Sequence, residues 1–235
     1  MKKTLKRVFK GFLIVISMLV LLFLVLKVTY NDEIPEGVSG APADELAHDI
    51  LEALNYENYK DAKEIHWTFR GVNRYEWHKQ KQVVKVFWDG MQVDLWTTSP
   101  EESTVFKSGN EIEGDAKREA IDYAVKNFNN DSFWVVAPFK LFDPGTERFL
   151  IKEDGQEKLL VQYTSGGTTP GDAYLWEVDE NQIPTAFKMW VSIIPLDGLK
   201  AEWSEWKMTE AGFPLAFEKT IFGIEIPISG LKVVR

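Results

Sequence analysis

The chain has 235 residues, of which 45% are hydrophobic and 13% aromatic, so it is long and apolar enough to bury a substantial core. It contains no cysteine, which excludes structural disulfides, thiol catalysis, zinc–thiolate sites and a lipid-modified cysteine. Residues 28–235 contain 21 basic and 36 acidic residues, a net charge of −15, which would repel phosphate backbones and excludes nucleic acid as a partner.

The N-terminal segment has the pattern of a membrane-targeting sequence. Residues 1–10 carry five basic residues and no acidic one, and Gly11–Leu26 is an apolar run of sixteen residues whose only polar side chain is Ser17. A helix of this length is roughly 24 Å long, slightly shorter than a hydrocarbon core of about 30 Å. Val28 and a snorkelling Lys27 extend it, so the segment is just long enough to span a membrane.

Two fates of residues 1–28 fit this pattern, an uncleaved membrane anchor and a cleaved signal segment. The nearest small-x-small cleavage pattern, Ser39-Gly40-Ala41, lies far beyond the apolar run and precedes Pro42. In both cases the basic residues before the run place the remainder outside the cytoplasm. The membrane is therefore an expected partner through residues 11–28.

The residues after the apolar run divide into a linker and a single domain. Four helix breakers in residues 31–42 predict a linker over residues 29–42, and residues 43–235 are expected to form the domain. The domain opens with an amphipathic helix whose apolar positions share one face: Leu46, Ile50, Leu51 and Leu54.

Residues 64–96 alternate apolar and polar side chains in four short runs, which predicts a meander of four antiparallel strands. If residues 71–73 form a three-residue loop, Trp67 lies opposite Trp77. Tight turns then connect the second, third and fourth strands. The apolar face of the meander comprises Trp67, Phe69, Tyr75, Trp77, Val84, Val86, Trp88, Val93 and Leu95.

The opposite face of the meander is polar. In the same register Lys85 lies between Glu76 and Asp94, and His66 lies opposite His78. Two histidines on neighbouring strands provide no third ligand at a defined spacing, so solvated histidines explain them better than a metal site. Because no catalytic triad order, metal-binding helix motif or nucleotide loop occurs, we expect no enzyme activity, no metal and no cofactor.

The rest of the chain is predicted to contain a second helix and further strands. Apolar residues at helical spacing indicate a helix that Asn129-Asn130-Asp131 would end, with a short third helix at residues 133–136. Trp176 is predicted to face Phe187, and a loop at residues 195–198 would place Lys188 opposite Glu205. The total is about ten or eleven antiparallel strands and two or three helices, an α+β fold.

The order of these elements over residues 43–235 resembles the lipoprotein-carrier (LolA/LolB-like) superfamily of the bacterial envelope. The resemblance is carried by a helix before an aromatic meander and by the segments Asp143-Pro144-Gly145, Tyr174–Asp179, Ile183-Pro184, Phe187–Met189, Trp203–Trp206 and Gly212–Pro214. It implies a strongly curved antiparallel sheet, an incomplete barrel with helices on its concave side and a cavity that receives acyl chains. The implied location is the inner membrane, with the domain on the periplasmic side, or the periplasm itself after cleavage.

This chain departs from that family at its N-terminus. Family carriers are soluble shuttles and the family's receptors are lipid-anchored, whereas this chain has an apparent membrane span and no cysteine to carry a lipid. No individual binding residue is transferred from the family.

Two functions fit the residues themselves. The first is a module that binds a lipid or other hydrophobic ligand on the apolar face of the meander, joined by Trp176 and Phe187, because this surface is larger than short helices obviously cover. The alternative is a structural or interaction domain with a filled core and no ligand, to which Phe87 and Trp96 on the polar face would offer a contact.

Overall fold

The computed structural model describes residues 2–29, 31–165 and 170–235. Met1 and Tyr30, which belong to the predicted anchor and linker, lie outside the described residues. The helices within these ranges are α1 (Lys2–Thr29), α2 (Ala41–Ala53), α3 (Tyr56–Asp61) and α4 (Asp115–Val136).

The strands, in chain order, are β1 (Val38–Ser39), β2 (Glu64–Phe69), β3 (Asn73–His78), β4 (Val83–Trp88), β5 (Met91–Trp96), β6 (Thr104–Lys107), β7 (Asn110–Glu111), β8 (Thr146–Glu153), β9 (Gln156–Tyr163), β10 (Ala173–Val178), β11 (Pro184–Trp190), β12 (Leu199–Met208), β13 (Pro214–Ile221), β14 (Ile224–Glu225) and β15 (Ile228–Val234). They form an eight-stranded sheet in the order β1-β8-β9-β10-β11-β12-β13-β14 and a seven-stranded sheet in the order β15-β2-β3-β4-β5-β6-β7.

The α+β class and the antiparallel, unclosed sheet architecture are confirmed. The strands exceed the expected number partly because β1, β7 and β14 have two residues each, too few to produce an alternation. Hydrogen bonding divides the strands into two sheets where the chain passes from β14 to β15. Pro227 lies at this point and has no backbone N–H to donate. Its carbonyl accepts a hydrogen bond from the backbone amide of Arg70, which directly follows β2 of the smaller sheet. The backbone amide of Ile226, one residue earlier, donates to the carbonyl of Lys219 in β13 of the larger sheet.

Helix α4 lies between the two sheets and contacts β5, β6 and β13. The prediction that the helix ends at Asn129-Asn130-Asp131 is wrong, since α4 continues to Val136. These residues favour helix ends because their side chains compete for backbone hydrogen bonds. Here the Asp131 side chain instead accepts a hydrogen bond from Tyr75 of the sheet, so tertiary contacts override the local preference.

The predicted register of the first hairpin is shifted by two residues. Trp67 pairs with Tyr75 rather than Trp77, and Phe69 pairs with Asn73, so the loop consists of residues 70–72. Asn73 remains in the strand because its buried side chain donates to Asp131. A shift of two residues leaves every side chain on its predicted face.

The remaining pairings of the meander follow the prediction in part. Val84 pairs with Trp77, and Lys85 lies between Glu76 and Asp94 as expected. His66 does not lie opposite His78, because the shifted hairpin places Glu76 opposite it.

In the larger sheet, Trp176 faces Phe187 as predicted. The predicted pairing of Lys188 with Glu205 is wrong, because Lys188 lies opposite Lys200. The connection between β11 and β12 is residues 191–198, longer than the four-residue loop that was assumed.

The segment of residues 31–39, called the strap below, lies on the larger sheet. Its backbone carbonyl at Asp32 accepts from the indole N–H of Trp190 (2.7 Å), and its β1 pairs with β8. A Cβ added at Gly37 would lie 2.8 Å from the carbonyl oxygen of Leu150 and closer still to Ile151, so the close approach requires glycine. Although its composition is that of a linker, the strap is held against the domain.

The strap contacts a second, smaller apolar cluster on the sheet face opposite the main core. The cluster contains Ile151, Leu160, Ala173, Leu175 and Trp190, with Phe149 at its edge. Strand β9 shows why both faces are apolar, since Leu159 and Val161 enter the main core while Leu160 enters the second cluster.

Helix α1 is not buried against the domain. Its residues Lys6–Thr29 form a helix long and apolar enough to cross a membrane, a test that a signal sequence also passes. At about 1.5 Å per residue this stretch of 24 residues measures roughly 36 Å, enough for a hydrocarbon core.

Candidate functional site

The eleven predicted ligand-binding residues lie together in the main core. Eight of them are at most 1% exposed: Trp67, Tyr75, Val84, Val86, Val93, Leu95, Trp176 and Phe187. Phe69 is also buried, and Trp77 and Trp88 are partly buried against the same core. We call this set the aromatic face. In this structure it is covered.

The stretch of α4 from Tyr123 to Phe128 covers the part of the aromatic face that belongs to the smaller sheet. The ring of Phe128 lies 5.3 Å from that of Trp77 in an edge-on arrangement, and 6.3 Å from that of Trp67. One turn earlier along the helix, Tyr123 stacks on Trp88 at 4.4 Å. Offset and edge-on contacts of this kind are worth about 0.5–1.5 kcal/mol each beyond the apolar area that they bury.

The C-terminal half of α4 covers the part that belongs to the larger sheet. Phe133 lies 4.4 Å from Tyr174, and Trp134 lies 5.7 Å from Phe187. One helix therefore touches both sheets and covers both parts of the aromatic face.

Helix α4 is also joined to the smaller sheet by a buried polar cluster, called the latch below. The Asp131 carboxylate accepts hydrogen bonds from the Tyr75 hydroxyl (2.6 Å), the Asn73 amide (3.1 Å) and the Asn130 amide (2.8 Å). The Tyr123 hydroxyl donates to the side-chain amide oxygen Oδ1 of Asn73 at 3.0 Å. Burial, and next the Asp131 carboxylate, raise the pKa of Tyr75 far above its usual value, so this hydroxyl remains a donor.

Three buried indole N–H groups have no hydrogen-bond partner among the described residues: those of Trp67, Trp176 and Trp203. The rings of Trp176 and Trp203 are neighbours, with centroids 5.6 Å apart. Tryptophan N–H groups usually find a partner when they are buried, and an unsatisfied buried donor costs about 1–3 kcal/mol.

Lys219 lies next to this tryptophan pair. It is fully buried on β13, opposite Trp203, and its ammonium group lies 5.1 Å from the centre of the Trp203 ring. It donates to the Ala216 carbonyl, and no acidic residue forms an ion pair with it in the described part of the chain. Burial lowers the pKa of Lys219 to about 7.

Two open clefts lie on the surface, and one of them is bordered by Trp88 of the aromatic face. The larger, of about 560 Å³, is lined by residues of α2 and α3 and by Phe142, whose ring stacks on His48 at 4.5 Å. The smaller, of about 380 Å³, lies beside Arg74 and Phe87 and has Trp88 at its edge. The Arg74 guanidinium covers the Phe87 ring at 3.7 Å, so Phe87 is less exposed than the sequence pattern indicated, whereas Trp96 is exposed.

Both histidines of the meander contact one carboxylate. Glu64 contacts His66 and His78 at 2.9 Å each. Burial raises the pKa of Glu64, but the hydrogen bond from His66 and the charge of His78 outweigh burial, and the net shift is downward. Within the described ranges, no group of three or more His, Asp or Glu residues is placed to hold a metal ion.

The sequence predicted the members of the aromatic face but not the groups that hold its cover. Asp131 and Asn73 were interpreted as helix-end and loop residues, although both are buried in the latch. A signal existed at Lys219, since alternation along β13 places it on the same strand face as Leu215 and Phe217, which pack in the main core. Alternation alone cannot tell a buried lysine from an exposed one.

Comparisons with known proteins add little. No family model and no curated protein matches the chain. Among solved structures, the chain is similar to a DUF1329 family protein from Desulfovibrio piger ATCC 29098, with 8% identity over 82% of this chain and 93% of that chain and a TM-score of 0.40. A TM-score this low does not establish a shared fold, so the resemblance to lipoprotein carriers stays a prediction.

Proposed function

We propose that the protein is a non-enzymatic domain of the bacterial envelope, tethered to the inner membrane by α1 on the periplasmic side. Its proposed role is to bind a lipid or another hydrophobic ligand between α4 and the aromatic face. In this proposal α4 is a cover that moves when a ligand enters, and the ligand occupies the space that Phe128 and Phe133 fill in the covered state.

The observation that carries the proposal is the set of three buried indole N–H groups that have no hydrogen-bond partner among the described residues. A core selected only for packing gains nothing from buried donors that remain unsatisfied. A ligand with an apolar chain and an acceptor group would satisfy such donors and keep the surrounding apolar surface away from water.

The construction of the cover supports the same proposal. The latch adds a buried polar contact beside Tyr75 to the apolar contacts that join α4 to the smaller sheet. Hydrogen bonds within the protein are exchangeable for hydrogen bonds to water or to a ligand, so their net contribution is only about 0.5–3 kcal/mol each. A ligand with an acceptor or donor group would exchange with the latch, while its apolar chain would replace the contacts of the apolar side chains of α4.

A lipid-binding assay tests the proposal. The full-length chain, purified from membranes in a mild detergent, is examined by native mass spectrometry for co-purified lipid and then titrated with a fluorescent fatty acid. Tyr75→Phe, which weakens the latch, is expected to increase the rate of fatty-acid uptake. Tyr163→Phe is the matched control, because the same hydroxyl is removed from a ring that contacts Phe133 but not the latch.

The alternative is a structural domain with a permanently filled core. The observed burial of the aromatic face under α4 favours this alternative. Absence of co-purified lipid, together with no binding of the fatty acid by either variant, would decide for this alternative.

A further inference from the structure

Three strongly exposed apolar side chains lie at one end of the larger sheet. They are Ile193 in the β11–β12 connection, Phe222 in the β13–β14 turn and Ile224 in β14, with exposed fractions of 61%, 52% and 71%. The pairing of Met189 with Leu199 and of Ala201 with Ile221 places the connection and the turn at the same end of the sheet. We call these three residues the apolar rim.

The membrane helix leaves the domain from this same end. Asn31 forms a bridge with Asp197, and the amide of Asp32 donates to the carbonyl of Asp197 at 3.3 Å. Thr29, the last residue of α1, precedes Asn31 by two positions, which allows a separation of at most about 7.6 Å between their Cα atoms. The β11–β12 connection is therefore fixed beside the exit of the helix.

This exit lies at a defined depth if α1 spans the bilayer. The apolar run ends near Lys27, whose ammonium group reaches the boundary of the hydrocarbon core. The headgroup region beyond that boundary is roughly 5–8 Å thick on each side. The bridge between Asn31 and Asp197 then lies within the headgroup region, and the apolar rim is at or near the same depth.

We propose that the apolar rim rests in the interfacial layer of the bilayer that α1 spans, and that it holds the domain in a fixed orientation. The inference rests on the tethered form of the proposed function. The occupant of the rim is the lipid surface, because the covalent path from α1 to Asn31 is too short to admit a folded partner between this end of the sheet and the membrane.

The charges around the rim determine the kind of contact. Asp197 lies within the β11–β12 connection, Asp172 accepts from the Ser192 amide at 3.2 Å, and Glu225 follows Ile224. Acidic neighbours gain nothing from anionic lipids, so the contact depends on insertion of apolar side chains and not on attraction between charges. It is therefore expected to occur on neutral lipids and to persist in salt.

The opposite end of the sheet provides an internal control. Met208 is the last residue of β12, nine positions from Leu199, which corresponds to roughly 30 Å along the strand. Its side chain is 63% exposed, as apolar and as accessible as those of the rim. If exposure alone brought apolar residues to the membrane, Met208 would do so equally.

Single-cysteine labelling tests the inference, because the chain has no native cysteine. Ile193→Cys, Phe222→Cys and Ile224→Cys variants of the full chain are labelled with an environment-sensitive fluorophore. They are reconstituted in phosphatidylcholine nanodiscs with and without a headgroup-proximal nitroxide lipid. Met208→Cys is the control for orientation, and Val20→Cys is the control for the anchor.

At all three rim positions the fluorophore emission is expected to shift to the blue and to be quenched by the nitroxide lipid. Both effects are expected to be the same at high salt. Neither effect is expected at position 208. An aqueous signal at any rim position while position 20 reports lipid would overturn the inference and leave the anchor standing. Equal quenching at position 208 would overturn the fixed orientation. An aqueous signal at position 20 would overturn the anchor itself, and with it the premise of the inference.

Discussion

The latch makes the sharpest prediction of the structure. The Tyr75→Phe substitution removes one hydroxyl from a ring that remains stacked on Trp67 with centroids 4.6 Å apart. The packing of the aromatic face is therefore preserved, and the change isolates the hydrogen bond between Tyr75 and Asp131. Its expected effects are a lower free energy of unfolding and faster opening of α4.

The magnitude follows from the geometry. The bond is short, 2.6 Å, both partners are buried, and its acceptor is a carboxylate. Such bonds contribute about 1.5–3 kcal/mol. Asp131 keeps two other donors after the substitution, so no bare carboxylate is created and the loss is expected to stay within that range. The control Tyr163→Phe removes a bond of 3.4 Å to a backbone carbonyl and is expected to cost about 1 kcal/mol or less.

Two measurements on the full chain in detergent check this prediction. Urea unfolding, followed by tryptophan fluorescence, reports the free energy, and hydrogen exchange reports the opening of α4 through its backbone amides. Hydrogen exchange of the α4 backbone amides is expected to accelerate in Tyr75→Phe and to change much less in Tyr163→Phe. Equal losses of stability in the two variants, or unchanged exchange in α4, would show that the latch does not hold the helix.

Three other substitutions probe the rest of the structure. Lys219→Met is expected to raise the free energy of unfolding by several kcal/mol at pH 6. Burial lowers the pKa of Lys219 from 10.5 to about 7, and one pKa unit corresponds to about 1.36 kcal/mol. The gain in unfolding free energy of Lys219→Met over the native chain is expected to shrink between pH 7 and 10.5, because in this range Lys219 is protonated only in the unfolded chain. Urea unfolding of both chains across this pH range tests this. Glu64→Gln is expected to cost at most about 1 kcal/mol at pH 6. Since the pKa of Glu64 is lowered in the folded state, the difference from the native chain should disappear as the pH falls below 4.5, and a difference that persists at pH 3 would contradict this. Gly37→Ala is expected to lift the strap from the sheet and to speed limited proteolysis within residues 31–39, whereas the exposed Ser39→Ala should not.

Strand faces were predictable from the sequence, and strand registers were predictable only in part. Alternation alone placed Trp67, Tyr75 and Val86 on the buried face, because a side-chain period of two is a local property. The first hairpin shifted by two residues because Asn73 is retained in the strand by Asp131, which lies 58 positions later in the chain. No local signal reports a partner at that distance.

The strap was missed for a different physical reason. Prolines and glycines between residues 31 and 42 are typical of linkers, and composition alone does not reveal a second use of glycine. Gly37 permits the backbone to approach Leu150 and Ile151 more closely than any side chain would allow. The outer apolar cluster that the strap contacts was equally hidden, because β8 to β10 have apolar residues on both faces and show no clear alternation.

If the apolar rim rests on the bilayer as proposed, Phe133 and Phe128 of α4 lie at different distances from the membrane. Tyr163 ends β9, and Tyr174 lies near the start of β10, so both belong to the end of the larger sheet that carries the rim. Phe133 contacts both tyrosines, whereas Phe128 contacts the smaller sheet. A ligand that leaves the bilayer under the proposed function therefore meets the Phe133 end of α4 first. It would reach the latch at Asp131 only after Phe133 has moved. The aromatic contacts of Phe133 are therefore the first barrier to ligand entry, and the latch is the second.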